Sequence, residues 1–139
     1  MVDGLAERLK STPDDVEGWR RLARARAVLG EHAQAAEAYA RADKLKPDDP
    51  ATLSAWVESR LRLDQSGTKL TPETIALLRR LEAASPDSGL ALFFLAQVAE
   101  EAGDKPGAIA RLRRLQAMMP EGTPTRGAID KRLRALEGK

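Results

Sequence analysis

Four prolines, Pro13, Pro47, Pro86 and Pro120, stand 34, 39 and 34 residues apart, and each is followed by an acidic residue: Asp14, Asp48, Asp87 and Glu121. Between them apolar residues recur at helical spacing, while Gly, Pro, Asp and Ser gather where the chain must turn. A repeat of this length filled with helix-period sequence restricts the chain to an array of similar helical units, each burying its apolar face on the next. The spacing predicts eight helices, over about 2–11, 15–30, 32–46, 50–64, 72–84, 88–103, 105–119 and 124–137. Each proline falls just beyond a helix, where a residue unable to continue it is tolerated, and the acid after it suits the positive end of the next helix. Thr71-Pro72 reads as an N-cap with proline at the first helical position.

A chain of 139 residues is long enough to bury one core without covalent staples. The absence of cysteine excludes disulfides, thiolate metal sites and a cysteine nucleophile. Basic residues number 23 and acidic residues 21, interspersed along the predicted helices, which is the pattern of solvated helix faces rather than of a nucleic-acid surface. The longest nearly apolar stretch, Leu90 to Ala99, is about half the roughly 20 residues that span a bilayer. The start, from Met1 to Arg8, lacks the basic end and apolar centre of a secretory signal, so the chain reads as a cytosolic protein or as a soluble piece of a longer anchored one.

Catalytic chemistry has little to work with. His32 is the single histidine and follows Gly30-Glu31 at a helix-helix turn, where an exposed polar residue is expected. Asp14-Asp15 and Asp48-Asp49 fall at helix starts, and the adjacent members of Glu100-Glu101 point in different directions from a helix. No phosphate-binding glycine loop follows a strand, since no strand is predicted. The expectation is a protein that acts by binding, is not an enzyme and carries no metal or cofactor.

From Val16 onward, Trp19, Leu22, Ala23, Gly30, Ala35, Tyr39, Ala42 and Pro47 follow the pattern of the tetratricopeptide repeat, with Arg26 where that family prefers an aromatic. From Gly89, Leu92, Leu95, Ala96, Gly103, Ala108, Leu112, Leu115 and Pro120 repeat it. Trp19, Tyr39 and Trp56 are expected in the core, where large side chains fill the space that small neighbours leave. Five extra residues enlarge the middle repeat, within Gln65 to Leu70, a polar stretch where a longer loop costs little entropy. The resemblance implies an all-α solenoid of antiparallel helix pairs, a right-handed superhelix with a concave groove. Its expected parts are an N-terminal helix (1–12), repeats at 16–49, 50–88 and 89–122, with the inserted loop at 65–70, and a C-terminal capping helix (123–139), all in one domain.

The resemblance also implies which side chains line the groove: Arg20 and Arg24 from the first repeat, Ser54, Glu58 and Leu61 from the second, and Leu90, Phe93 and Gln97 from the third. Phe94 is a further candidate, because Leu92 and Leu95 already fill the core positions around the Phe93-Phe94 pair. The residues leave two roles open for that pair, packing on the C-terminal helix or contacting a peptide, and two for the arginines, contacting a ligand or pairing with Glu17 and the loop acids. Chaperone-binding tetratricopeptide domains grip a terminal carboxylate with Lys and Asn. Here the corresponding positions include Ala55, Leu90 and Phe94, so an apolar helical ligand suits the groove better than an acidic tail.

A narrower resemblance rests on Leu5-Ala6-Glu7-Arg8-Leu9, Pro13-Asp14-Asp15-Val16-Glu17-Gly18-Trp19, the run from Leu29 to Tyr39, the insertion before Leu70-Thr71-Pro72-Glu73, and the closing Pro120-Glu121-Gly122-Thr123-Pro124. Together they resemble the periplasmic tetratricopeptide domain of the c-type cytochrome biogenesis family CcmI/CycH, to which NrfG is similar. That family commonly has Trp where this chain has Leu112, and again near Thr125. The resemblance implies a periplasmic domain of a protein anchored in the membrane by a segment this chain lacks. Its implied partners are the C-terminal helix of apocytochrome c, held as by a chaperone for haem attachment, and other cytochrome maturation proteins, with no nucleic acid and no small-molecule substrate. The competing reading is a general scaffold for protein-complex assembly, cytosolic or in the envelope, unrelated to cytochromes.

Overall fold

In a computed structural model, residues 2–65 and 69–138 are described. Among them the chain is helical throughout, with eight α-helices and no strand: α1 (Val2–Ser11), α2 (Val16–Val28), α3 (His32–Leu45), α4 (Pro50–Asp64), α5 (Pro72–Ala84), α6 (Gly89–Glu101), α7 (Lys105–Met118) and α8 (Pro124–Glu137). The chain forms two compact units, Met1–Ala84 and Ser85–Lys139.

The helix starts are set by side chains that satisfy backbone N–H groups with no partner inside the helix. Asp15 accepts from the Gly18 N–H at 3.0 Å, Asp49 from Thr52 at 3.3 Å, Ser88 from Ala91 at 3.2 Å and Asp104 from Gly107 at 3.0 Å. The acids after Pro13 and Pro47 thus divide their work. Asp15 and Asp49 cap α2 and α4, whereas Asp48 takes a left-handed φ of 60° and turns its carboxylate toward Arg80. At the turns from α2 to α3 and from α6 to α7 the chain needs a left-handed residue, and Gly30 (φ 80°) and Gly103 (φ 79°) supply it without a Cβ penalty.

In the first unit, α1 packs on α2, α2 on α3, α3 on α4 and α4 on α5. Leu9, Leu22, Ala23, Ala35, Ala38 and Tyr39 form a buried cluster. Trp19 and Trp56 pack against that cluster and are half-buried, so both are structural, at the edge of the core rather than within it. Each presents a ring face to an arginine: Arg41 lies 5.2 Å from the Trp19 ring centre and Arg80 5.9 Å from that of Trp56. The Trp19 indole N–H donates to the Pro13 carbonyl at 2.8 Å and so holds the turn before α2. Arg26, in place of an aromatic, reaches Glu31 at 3.2 Å and Asp3 at 3.7 Å, linking the end of α2 to α1.

The inserted stretch runs from Gln65 to Leu70, and its Ser66, Gly67 and Thr68 lie outside the described residues. Its flanks are tied together: the Thr71 N–H donates to Asp64 at 3.1 Å, and Arg60 donates to the Thr71 hydroxyl at 3.2 Å. In the second unit, α6 packs on α7 and α7 on α8, around Leu92, Ala96, Leu112, Leu115, Ile129 and Leu133. Leu112, where the resembled family has Trp, is fully buried there.

Candidate peptide-binding site

In the first unit, α2 carries Arg20 and Arg24, and α4 carries Ser54, Glu58 and Leu61. Arg20 is half-buried and serves mainly as a tie, pairing with Glu17 at 2.9 Å and reaching Asp49 at the start of α4 at 3.9 Å. Arg24, one turn on, and Glu58 are exposed, whereas Ser54 and Leu61 are half-buried. Tyr39 of α3, only 4% exposed, belongs to the buried cluster of this unit. Burial pushes its phenol pKa above the ordinary value and Glu58 adds to the rise, with Arg24 and Arg20 opposing. Its hydroxyl therefore lies within the field of all three charged residues. Tyr39 thus lies in the core, as the sequence reading expects.

Beside Glu58 lies a pocket of about 230 Å³ lined by Ala27, Val28, His32, Tyr39, Ala55 and Arg62 among others. Val28 is 87% exposed at its edge. His32, expected to be exposed, is half-buried, and its Nδ1 is buried without a hydrogen-bond partner. Among the described residues no group of three or more His, Cys, Asp or Glu side chains is placed to hold a metal ion.

In the second unit, α6 carries Leu90, Phe93, Phe94 and Gln97. Leu90 and Phe94 are half-buried, Gln97 is exposed and lies 3.5 Å from Glu101, and Phe93 is 40% exposed. The two phenyl rings meet edge to face, with centres 5.1 Å apart at 89°. Arg132 of α8 lies over the Phe93 ring at 5.7 Å and forms an ion pair with Glu100. Phe93 thus meets α8 through Arg132 and leaves part of its ring exposed. Arg132 was not foreseen, because nothing in its local sequence distinguishes it from the other arginines of α8.

These helix pairs, caps and turns are those of a tetratricopeptide array, and the model of one such family, the cytochrome c-type biogenesis protein H TPR domain, matches residues 1–126. The chain belongs to this family.

A curated relative, cytochrome c-type biogenesis protein CycH of Pseudomonas aeruginosa, is 29% identical over 129 residues, which are 93% of this chain and 31% of that protein. The chain thus spans under a third of the relative's length. Solved structures agree on the fold. A crystal structure of MamA is similar with a TM-score of 0.74 at 18% identity, covering 99% of this chain and 72% of that one. TTC0263, a thermophilic TPR protein of Thermus thermophilus, is similar at 0.59 and 20% identity, covering 99% and 73%. The chain is therefore an all-α tetratricopeptide solenoid by family and by fold, and members of such families commonly act through protein contacts.

Proposed function

We propose that this domain acts in cytochrome c maturation by holding the C-terminal helix of apocytochrome c until haem is attached, as a binding protein without catalysis. The observation that carries this reading is membership of the cytochrome biogenesis family across residues 1–126. The chemistry of the surfaces supports it. A helix that is poorly ordered when free needs apolar anchors to fold against, and Leu90, Phe93 and Phe94 of the second unit offer them. The haem belongs to partner proteins, because this chain has no cysteine and one histidine. In this reading the domain faces the periplasm, tethered through a segment outside the chain. No helix among the described residues is long and apolar enough to cross a membrane.

Calorimetric titration with a peptide of the C-terminal helix of the organism's own apocytochrome c, beside a scrambled control, tests the reading. Roughly micromolar binding is expected, about −8 kcal/mol, since ordering the peptide offsets part of the contact energy. Phe93→Ala should weaken it by about 1–2 kcal/mol. Equal affinity for native and scrambled peptides, with the domain folded, overturns the apocytochrome assignment and favours a general scaffold.

A further inference from the structure

A second cavity lies on the other side of α4 from Glu58. Successive helix residues turn by about 100°, so Trp56 and Arg60 lie together, nearly opposite Glu58 and Arg62. They floor a slot of about 510 Å³ between α3 and α5, kept open by the small side chains of Ala33, Ala36 and Ala76. The half-buried indole of Trp56 makes part of that floor flat and apolar.

The charges around the slot are acidic in balance. Arg80 is committed to two carboxylates, since Asp43 and Asp48 both accept from it, at 2.8 Å each at their shortest, and it lies 5.9 Å from the Trp56 ring centre. Arg60 donates to the Thr71 hydroxyl at 3.2 Å and stands 3.7 Å from Glu73. Glu37 and Glu73 line the slot and are exposed, and Glu37 has no ion-pair partner among the described residues. The carboxylates of Glu37, Asp43, Asp48 and Glu73 thus outnumber the guanidinium groups of Arg60 and Arg80 beside an apolar floor. One donor is left over: the Arg60 Nε is buried without an acceptor. A buried N–H in that state is costly, and a peptide carbonyl satisfies it without adding negative charge to the slot.

We infer that this slot docks a lysine within a partner polypeptide: the stem of the side chain lies along Trp56 and the alanines, the ammonium meets Glu37 and Glu73, and a backbone carbonyl beside it accepts from the Arg60 Nε. Lysine suits the slot better than arginine. A compact ammonium with three donors on a flexible stem can serve two carboxylates on different helices, whereas the planar guanidinium fork pairs best with one. The methylenes gain from apolar contact while the charged head stays in water at the rim, and an indole face attracts a cation near it. A carboxylate on the ligand would be repelled by the excess of acids already there. The site uses neither Arg24 nor Glu58 nor the second unit, so it stands independently of the apocytochrome reading.

The test is titration of the whole chain with N-acetyl-lysine N-methylamide, its Nε-acetyl derivative, N-acetyl-glutamate N-methylamide and n-butylamine, followed by the indole N–H resonances of Trp56 and Trp19. The lysine probe should shift Trp56 and leave Trp19 in place, with affinity about millimolar for so small a ligand. The Nε-acetyl probe keeps the stem and the carbonyls and lacks the charge, so it should bind about threefold more weakly, as a partly exposed ion pair implies. The glutamate probe should give no shift, and n-butylamine, which has no carbonyl for Arg60, should bind more weakly than the lysine probe. Glu37→Gln, made at an exposed position, should remove most of the difference between the lysine and Nε-acetyl probes, as should raising salt from about 50 to about 500 mM. Ala76→Phe, also at an exposed position, should fill the slot and abolish the Trp56 shift with helix content unchanged. Equal binding of the lysine and Nε-acetyl probes, preference for the glutamate probe, a shift confined to Trp19, or no shift at all overturns the proposal. Self-association of the free chain that Ala76→Phe abolishes overturns it too, by giving the slot to a second copy.

Discussion

At the scale of single residues, the protein is organised by carboxylates with unlike tasks. Asp49 is the clearest. Burial pushes its pKa up, but the two hydrogen bonds from Thr52, through its hydroxyl at 3.0 Å and its backbone N–H at 3.3 Å, outweigh that, with Lys46 and Arg20 adding to them. The net shift is downward, so the folded state holds the proton more weakly than the unfolded chain does. Its stabilisation is complete above the ordinary carboxylate pKa near 4 and is lost as pH falls through the lower folded value. Asp49→Ala should therefore destabilise by about 1 kcal/mol at neutral pH, the usual worth of a helix cap. In urea titrations repeated across pH, the gap from wild type should narrow below about pH 4; a constant gap would show that the charge and the proton play no part.

At the scale of helices, the decisive contacts join neighbours in space that are distant in sequence. Asp43 is among the few buried charged side chains; it accepts both from Arg80 of α5 and from the Asp48 N–H at 3.1 Å. Removing Arg80 leaves that carboxylate buried with one donor, and Arg80→Met should cost about 2 kcal/mol in urea denaturation. Asp43→Asn in the Arg80→Met background should recover part of the loss; if it deepens the loss instead, the pair is not the source. This contact also marks the limit of what the sequence discloses. The bounds of α4 and α5 coincide with the sequence reading because Asp49-Pro50 and Thr71-Pro72 combine a cap with a proline in the first turn. The bounds of α2 and α6 shrink from 15–30 and 88–103 to 16–28 and 89–101, since Asp15 and Ser88 are caps outside the helix and the chain turns left-handed at Gly30 and Gly103. Helical periodicity reports which way a side chain points and is silent about what it meets. The resemblance therefore named Arg20, Arg24, Glu58 and Phe93 as groove residues and gave no hint that Arg132 covers Phe93.

At the scale of the whole molecule, charge separates the classes of partner. The formal net charge is +2, from 23 basic and 21 acidic residues, and many arginines are already engaged by acids of this same chain, as Arg20, Arg26, Arg80, Arg114 and Arg126 are. Ion pairing of this kind leaves fewer cations to displace counterions from phosphates, and a ligand held by apolar anchors releases few ions on binding. Affinity for the apocytochrome peptide should accordingly change by less than about threefold between about 50 and about 200 mM salt, whereas a surface making six or more phosphate contacts would lose on the order of a thousandfold over the same range. Calorimetry at several salt concentrations measures the slope. A shallow slope fits Phe93, Phe94 and Leu90 as the anchors. A steep one would move the binding energy onto the arginines of α2 and make charge, not apolar burial, the basis of recognition.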